Sequence, residues 1–117
     1  MQIKTEHPAP SEAIIRPNGR MDIESSAAVR QILLDMATKG IKAVVVDLSG
    51  VQFMDSSGLS VLVSGMKALR KNGGMLGICN ANPQIRTALR LTMLDRVFPV
   101  HEDVEKTFQE LNKEIQA

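Results

Sequence analysis

Residues 53–62 read FMDSSGLSVL: a carboxylate, two adjacent hydroxyls and a glycine, then apolar residues at helical spacing. That pattern sets Asp55, Ser56 and Ser57 at the mouth of a helix beginning near Gly58. Three kinds of chemistry fit a hydroxyl there. It could cap the helix, accepting a hydrogen bond from an unpaired backbone N–H. It could act as a nucleophile. Or it could be offered to a kinase, since a phosphate at a helix start meets N–H groups and the positive end of the helix dipole. Such a phosphate adds about −1.5 to −2 charges at pH 7. A cap explains one serine and leaves the second over.

A nucleophile needs a base, and the chain offers only His7 and His101, one in a terminal strand and the other near the last helix. The glycine-flanked elbow of serine hydrolases is missing, because Asp55 stands two residues before Ser57. Two histidines and one cysteine, scattered without ligand spacing, make no metal site. Asp47 ends a β-branched run, as the acceptor of a phospho-aspartate receiver would. The acidic pair that a Mg²⁺ site requires is reduced to one Glu in EHPAPS, after the first strand. Cys79 lies in the apolar run MLGIC and reads as a buried, inert thiol. No catalytic residue, metal or cofactor is expected, and the chain reads as a protein that is not an enzyme.

Composition narrows the partners. The 117 residues suit one domain, and 44% apolar with 23% charged residues is ordinary for a globular chain. Three Phe with no Trp or Tyr make the core aliphatic and remove the stacking platforms of a single-stranded nucleic-acid binder. A formal charge of +1 supplies no basic face for phosphate backbones, so no nucleic-acid partner is expected. A single cysteine fits a reducing compartment. No apolar stretch approaches the roughly 20 residues of a membrane span, and MQIKTEH lacks the features of a signal peptide. The expected location is cytoplasmic, without direct membrane insertion.

The elements that must position the serines follow from periodicity. MQIKT and EAIIR, separated by the proline-rich EHPAPS, read as an antiparallel hairpin, with PNG at 17–19 ending the second strand. Ile23, Ala27, Ala28, Val29, Ile32, Leu33 and Met36 form a helical stripe from Ile23 to about Lys39, with Ser25 or Asp22 as cap and Gly40 past the end. IKAVVVDLS suits a strand buried on both faces. Leu59, Leu62, Val63, Met66 and Leu69 give the next helix, with Ser60, Ser64, Lys67 and Lys71 on its other side. MLGIC is a strand. NANP opens a helix with Asn82 as cap and Pro83 at the first helical position. RVFPV is an edge strand, and a helix near 102–115 closes the chain. The order ββαβαβαβα implies an α/β domain over 1–117, a mixed and largely parallel sheet of about five strands with about four helices.

The run VVVDLSGVQFMDSSGLSVLV resembles the STAS domain of bacterial anti-sigma factor antagonists, which pass from strand to helix through D-S-[ST]-G-L. NGRMDIESS is similar to that family's G-x-[LM]-D segment before its first helix, and the order of elements matches over roughly residues 2–115. Pro17-Asn18 departs from the pattern, where relatives carry an apolar and a small polar residue. The resemblance implies that Ser56 is a phosphoacceptor, with Ser57 the second choice and otherwise serving the helix start. It implies modification by a serine kinase of the histidine-kinase-like ATPase type, itself the anti-sigma partner, and reversal by a PP2C-type phosphatase. It further implies that the unphosphorylated form binds that partner and frees its target. Asp22, Met54, Asp55, Ser57, Gly58, Ser60 and Ser64 are the expected partner surface, with Gly58 letting the partner come close. The alternative within the same resemblance is an unphosphorylated accessory subunit of a membrane transporter for lipids or anions.

Overall fold

A computed structural model describes residues 1–116. The order is β1 (Gln2–Glu6), β2 (Glu12–Met21), α1 (Ser26–Thr38), β3 (Ala43–Asp47), β4 (Val51–Met54), α2 (Ser56–Lys71), β5 (Met75–Cys79), α3 (Pro83–Leu91), a 3-10 turn (Leu94–Arg96), β6 (Val100–His101) and α4 (Val104–Gln116). One sheet runs β1-β2-β3-β5-β6, with β4 paired to the far end of β2. Only β1–β2 is antiparallel. The fold is the expected mixed α/β arrangement with four helices, carrying one strand more than the sequence suggested.

Both differences at β2 have one cause. The strand does not stop at Pro17 but continues to Met21, changing neighbour on the way. Glu12–Ile15 pair with β3, and Gly19–Met21 pair with β4. Pro17, which has no N–H to donate, falls in the gap between the two ladders, where no donor is needed. Gly19, at φ +120, takes up the register shift that follows. The short β4 was hidden inside the run read as the approach to the serine helix.

Every residue of β3 and β5 is buried, so both strands are covered on both faces. Helices α1 and α2 pack against each other on one side, Gly65 admitting the Leu33 side chain. Helix α4 covers β3 and β5 on the other, with Gly77 making room for Thr107. The aliphatic core includes Val44, Val45, Leu62, Leu76 and Ile78, all with 0% exposure. Each such side chain contributes on the order of 1.5–3 kcal/mol by leaving water. The frame beneath the serines is therefore well buried.

Helix ends follow the sequence in part. Asn82 caps α3, its Oδ1 accepting from the Ile85 amide at 2.9 Å, with Pro83 at the first position. Gly40, at φ +83, lies just past α1. That helix starts at Ser26, so Ile23 lies outside it and is 78% exposed rather than on the buried stripe. At the last strand, Arg96 belongs to the 3-10 turn, and β6 is only Val100–His101 at the sheet edge.

Candidate functional site

Strands β2 and β4 end in register, Met21 beside Met54. Beyond them the Asp55 amide donates to the Met21 carbonyl at 3.3 Å. Asp22 and Asp55 therefore leave the sheet side by side, from segments more than thirty positions apart in the chain.

Asp55 is the cap of α2. Its backbone is extended (φ −102, ψ −170), and Oδ1 accepts from the amides of Ser57 at 2.9 Å and Gly58 at 3.3 Å. Its carbonyl accepts from Leu59 at 3.1 Å. Neither serine caps the helix, and α2 begins at Ser56, not near Gly58. A carboxylate wins the cap because its charge also complements the helix dipole. Both serines are thereby released from the helix start. Ser56 is exposed and Ser57 half-buried.

This arrangement changes the electrostatics of a phosphate on Ser56. Asp55 already occupies two of the first-turn amides that would otherwise receive it. A phosphate placed there would compete with the Asp55 carboxylate for those amides.

Asp22 is half-buried and held by its own turn. Its Oδ1 accepts from the amides of Glu24 at 3.1 Å and Ser25 at 3.2 Å and from the Ser25 hydroxyl at 3.1 Å. The Ser25 amide above all lowers this carboxyl below the usual carboxylate range; burial, the next effect in size, opposes it, and the Ser25 hydroxyl, the Glu24 amide and nearby Arg20 together keep the balance on the low side. Ser25 occupies the cap position of α1 without capping it with its side chain.

Two expected surface residues are not on the surface. Met54 is 2% exposed and belongs to the core. Gly58 is buried as well. A Cβ added at Gly58 would lie 2.5 Å from Met54 Cγ and 2.9 Å from the Met21 carbonyl oxygen. The glycine lets α2 approach the ends of β2 and β4, rather than letting a partner approach the protein. Ser60 is exposed and Ser64 half-buried. With Ser56 they fall at i, i+4 and i+8, one stripe running along the helix from its first residue.

The free edge of β4 carries features not visible in the sequence. Asn82 Nδ2 donates to the Gln52 carbonyl at 3.1 Å and lies 3.4 Å from that of Val51, while Gln84 Nε2 lies 3.4 Å from the Met54 carbonyl. Side-chain amides from the start of α3 thus stand where a further strand would pair. Exposed Ile23 beside Asp22 was also missed, because its spacing matched the α1 stripe. Arg20, stacked 4.1 Å from the centroid of the Phe53 ring, was not singled out either.

The other candidates are structural. Asp47 is buried, accepting from Arg16 Nε at 3.1 Å, the Ser49 amide at 3.0 Å and Asn80 Nδ2 at 3.1 Å. Burial opposes its charge, but the bonds from Ser49, Asn80 and Arg16 prevail and lower its pKa. Burial, with Asp47 nearby, pushes the Cys79 thiol up to about 12, so it stays protonated. His7 lies by Glu12, at the opposite end of β2 from Met21, and His101 Nε2 is 2.8 Å from Glu110 Oε1. Among the described residues, no group of three or more His, Cys, Asp or Glu is placed to hold a metal ion, and no helix is long and apolar enough to cross a membrane.

Comparison with known proteins matches residues 2–107 to the STAS domain. The chain is 30% identical over 112 residues to the anti-sigma F factor antagonist of Paenibacillus polymyxa, covering 95% of each protein. It is similar to the crystal structure of an anti-sigma factor antagonist from Mycobacterium paratuberculosis, with a TM-score of 0.81, 26% identity and 95% of each chain covered. Its fold is also that of the anti-sigma factor antagonist SpoIIAA in its unphosphorylated form, with a TM-score of 0.72 at 20% identity and 99% of each chain covered.

Proposed function

The chain belongs to the STAS domain family, and from that premise we propose that it is a partner-switching regulator controlled by phosphorylation of Ser56. In this reading the unphosphorylated protein binds an anti-sigma factor that is also a serine kinase, and so frees the factor's target. Phosphate on Ser56 ends that binding, and a PP2C-type phosphatase restores it. The single observation that carries the assignment is the Asp55 cap. It leaves Ser56 exposed at the first helical position, next to Asp55, whose amide is bonded to the residue before Asp22. Ser57 is less accessible, and its amide is bound by the cap. The protein itself does no chemistry in this scheme. It presents a hydroxyl to the kinase.

The test is phosphorylation by the cognate kinase with ATP, followed by mass mapping. One phosphate is expected, on Ser56, and Ser56→Ala should remove it. Phosphate on Ser57 would exchange the two roles. No phosphate on either would overturn the reading in favour of an accessory role without phosphorylation.

A further inference from the structure

Ile23 is 78% exposed, more than any other large apolar side chain among the described residues. It stands at the tip of the turn that joins β2 to α1, directly after Asp22. That turn is closed by hydrogen bonds from several sides. The Asp22 amide donates to Ser25 Oγ at 3.0 Å, and Asp22 Oδ1 accepts from Glu24 and Ser25. The single hydrogen of the Ser25 hydroxyl lies between Asp22 Oδ1 and the Arg20 carbonyl, and the Ser26 hydroxyl donates to the Asp22 carbonyl. The Ser26 amide donates to the Asp22 carbonyl at 2.9 Å. None of these bonds uses the side chain of Ile23, and the core does not bury it. The fold holds an apolar group out in water on a turn with little freedom left.

We infer that Ile23 is the apolar anchor of the partner interface, seated in a hydrophobic pocket of the anti-sigma partner beside a cation that pairs with Asp22. This rests on the partner-switching reading above and adds to it the contact that supplies affinity. Three observations favour that occupant. The tip adjoins the acceptor end of the molecule, because Asp55 is bonded to Met21, two residues before Ile23. The residues flanking Ile23 are both acidic, Asp22 and Glu24, and Asp55 adds a third carboxylate nearby. A complementary surface is therefore apolar at its centre and basic at its rim. Finally, the turn is ordered before binding, so little freedom is lost on docking, and interface energy concentrates in such preorganised apolar groups. Asp22 then fixes register and Ile23 supplies burial. The hydroxyl of Ser56 is carried to the partner's active site by the same contact.

The experiment is a titration of the cognate anti-sigma kinase, with nucleotide bound, against wild type, Ile23→Ser, Ile23→Leu, Leu91→Ser and the Ser56 phosphoprotein. Thermal melts of each variant run alongside. Leu91 is 76% exposed at the end of α3 and controls for loss of any exposed apolar group. Ile23→Ser should weaken binding by about tenfold or more, the size expected for an interface anchor. Ile23→Leu should stay within about threefold of wild type, as volume-conserving swaps do. Leu91→Ser should bind as wild type, and all three should melt close to it. Wild-type affinity for Ile23→Ser, in an assay where phosphorylation of Ser56 still abolishes binding, overturns this inference alone. Equal losses for Ile23→Ser and Leu91→Ser overturn it as well. If phosphorylation has no effect while Ile23→Ser still weakens binding, the anchor stands and the switch fails. A wild-type protein that does not bind the kinase overturns both.

Discussion

The amide of Asp55 donates to the carbonyl of Met21 at 3.3 Å, which ties the residue before Ser56 to the residue before Asp22. The bond is short in space and long in sequence. It depends on β2 running past Pro17 to pair with β4, so the departures of the strands from the simplest reading are what assemble the site. The Asp55 backbone anchors the site, and its side chain frees the serines.

The cap should be measurable by itself. Asp55→Ala removes the acceptor for the Ser57 and Gly58 amides and should cost about 1 kcal/mol. A thermal melt should register that as a loss of about 4 °C. Asp55→Asn keeps an acceptor and should recover most of the loss. If Asp55→Ala melts with wild type, the serines cap the helix after all.

Gly58 offers a second stability test. A Cβ there would lie 2.9 Å from the Met21 carbonyl oxygen, which is backbone and cannot rotate aside, and 2.5 Å from Met54 Cγ. Gly58→Ala should therefore destabilise the protein by about 1–3 kcal/mol despite the better helix propensity of alanine. Denaturant unfolding would measure it. A stabilised variant would show that α2 can lift away from the strand ends without loss.

Asp47 predicts a dependence on pH. Its pKa is lower in the folded protein than the ordinary value of 3.8, so it binds its proton more weakly folded than unfolded. Its stabilisation is complete above the ordinary carboxylate range and is lost as pH falls through the lowered folded value. Asp47→Asn leaves Arg16 Nε without its acceptor on Asp47 and should cost about 1–3 kcal/mol at pH 7. The gap between wild type and variant should begin to narrow as pH falls below the ordinary carboxylate value and close below the lowered folded one. A gap unchanged between pH 7 and pH 3 would contradict the assigned cause.

What could be read in advance was whatever local pattern controls. The buried runs at 43–47 and 75–79, the Asn82-Pro83 helix start and the stripe of α2 all follow from spacing and cap chemistry. Met54 and Gly58 were misplaced because their roles are set by a contact with Met21, which sequence spacing does not encode. Ile23 was misplaced because its interval to Ala27 fits a helix that begins only at Ser26. The cap went to Asp55 over two serines by an electrostatic margin that residue preferences alone do not resolve.

The switch itself is the last prediction. Ser56 is exposed, and the first-turn amides beside it are bound by Asp55. A phosphate on Ser56 thus finds little internal compensation and adds about −1.5 to −2 charges next to the Asp55 carboxylate. Within the protein this is a modest strain at an exposed position, and the melting temperature should shift only slightly. In a closed interface the effect is much larger. On docking, the phosphate must shed water, and neither Asp22 nor Asp55, being carboxylates, can pair with it. An uncompensated buried charge costs about 3–5 kcal/mol, which is on the order of a hundredfold or more in affinity. Ser56→Asp should weaken binding in the same direction but less, having a single charge and a shorter reach. Ser56→Ala should bind constitutively. Calorimetric titration of the anti-sigma kinase against wild type, phosphoprotein and both variants decides the matter. Phosphoprotein that binds as tightly as Ser56→Ala would remove the switch from this chain.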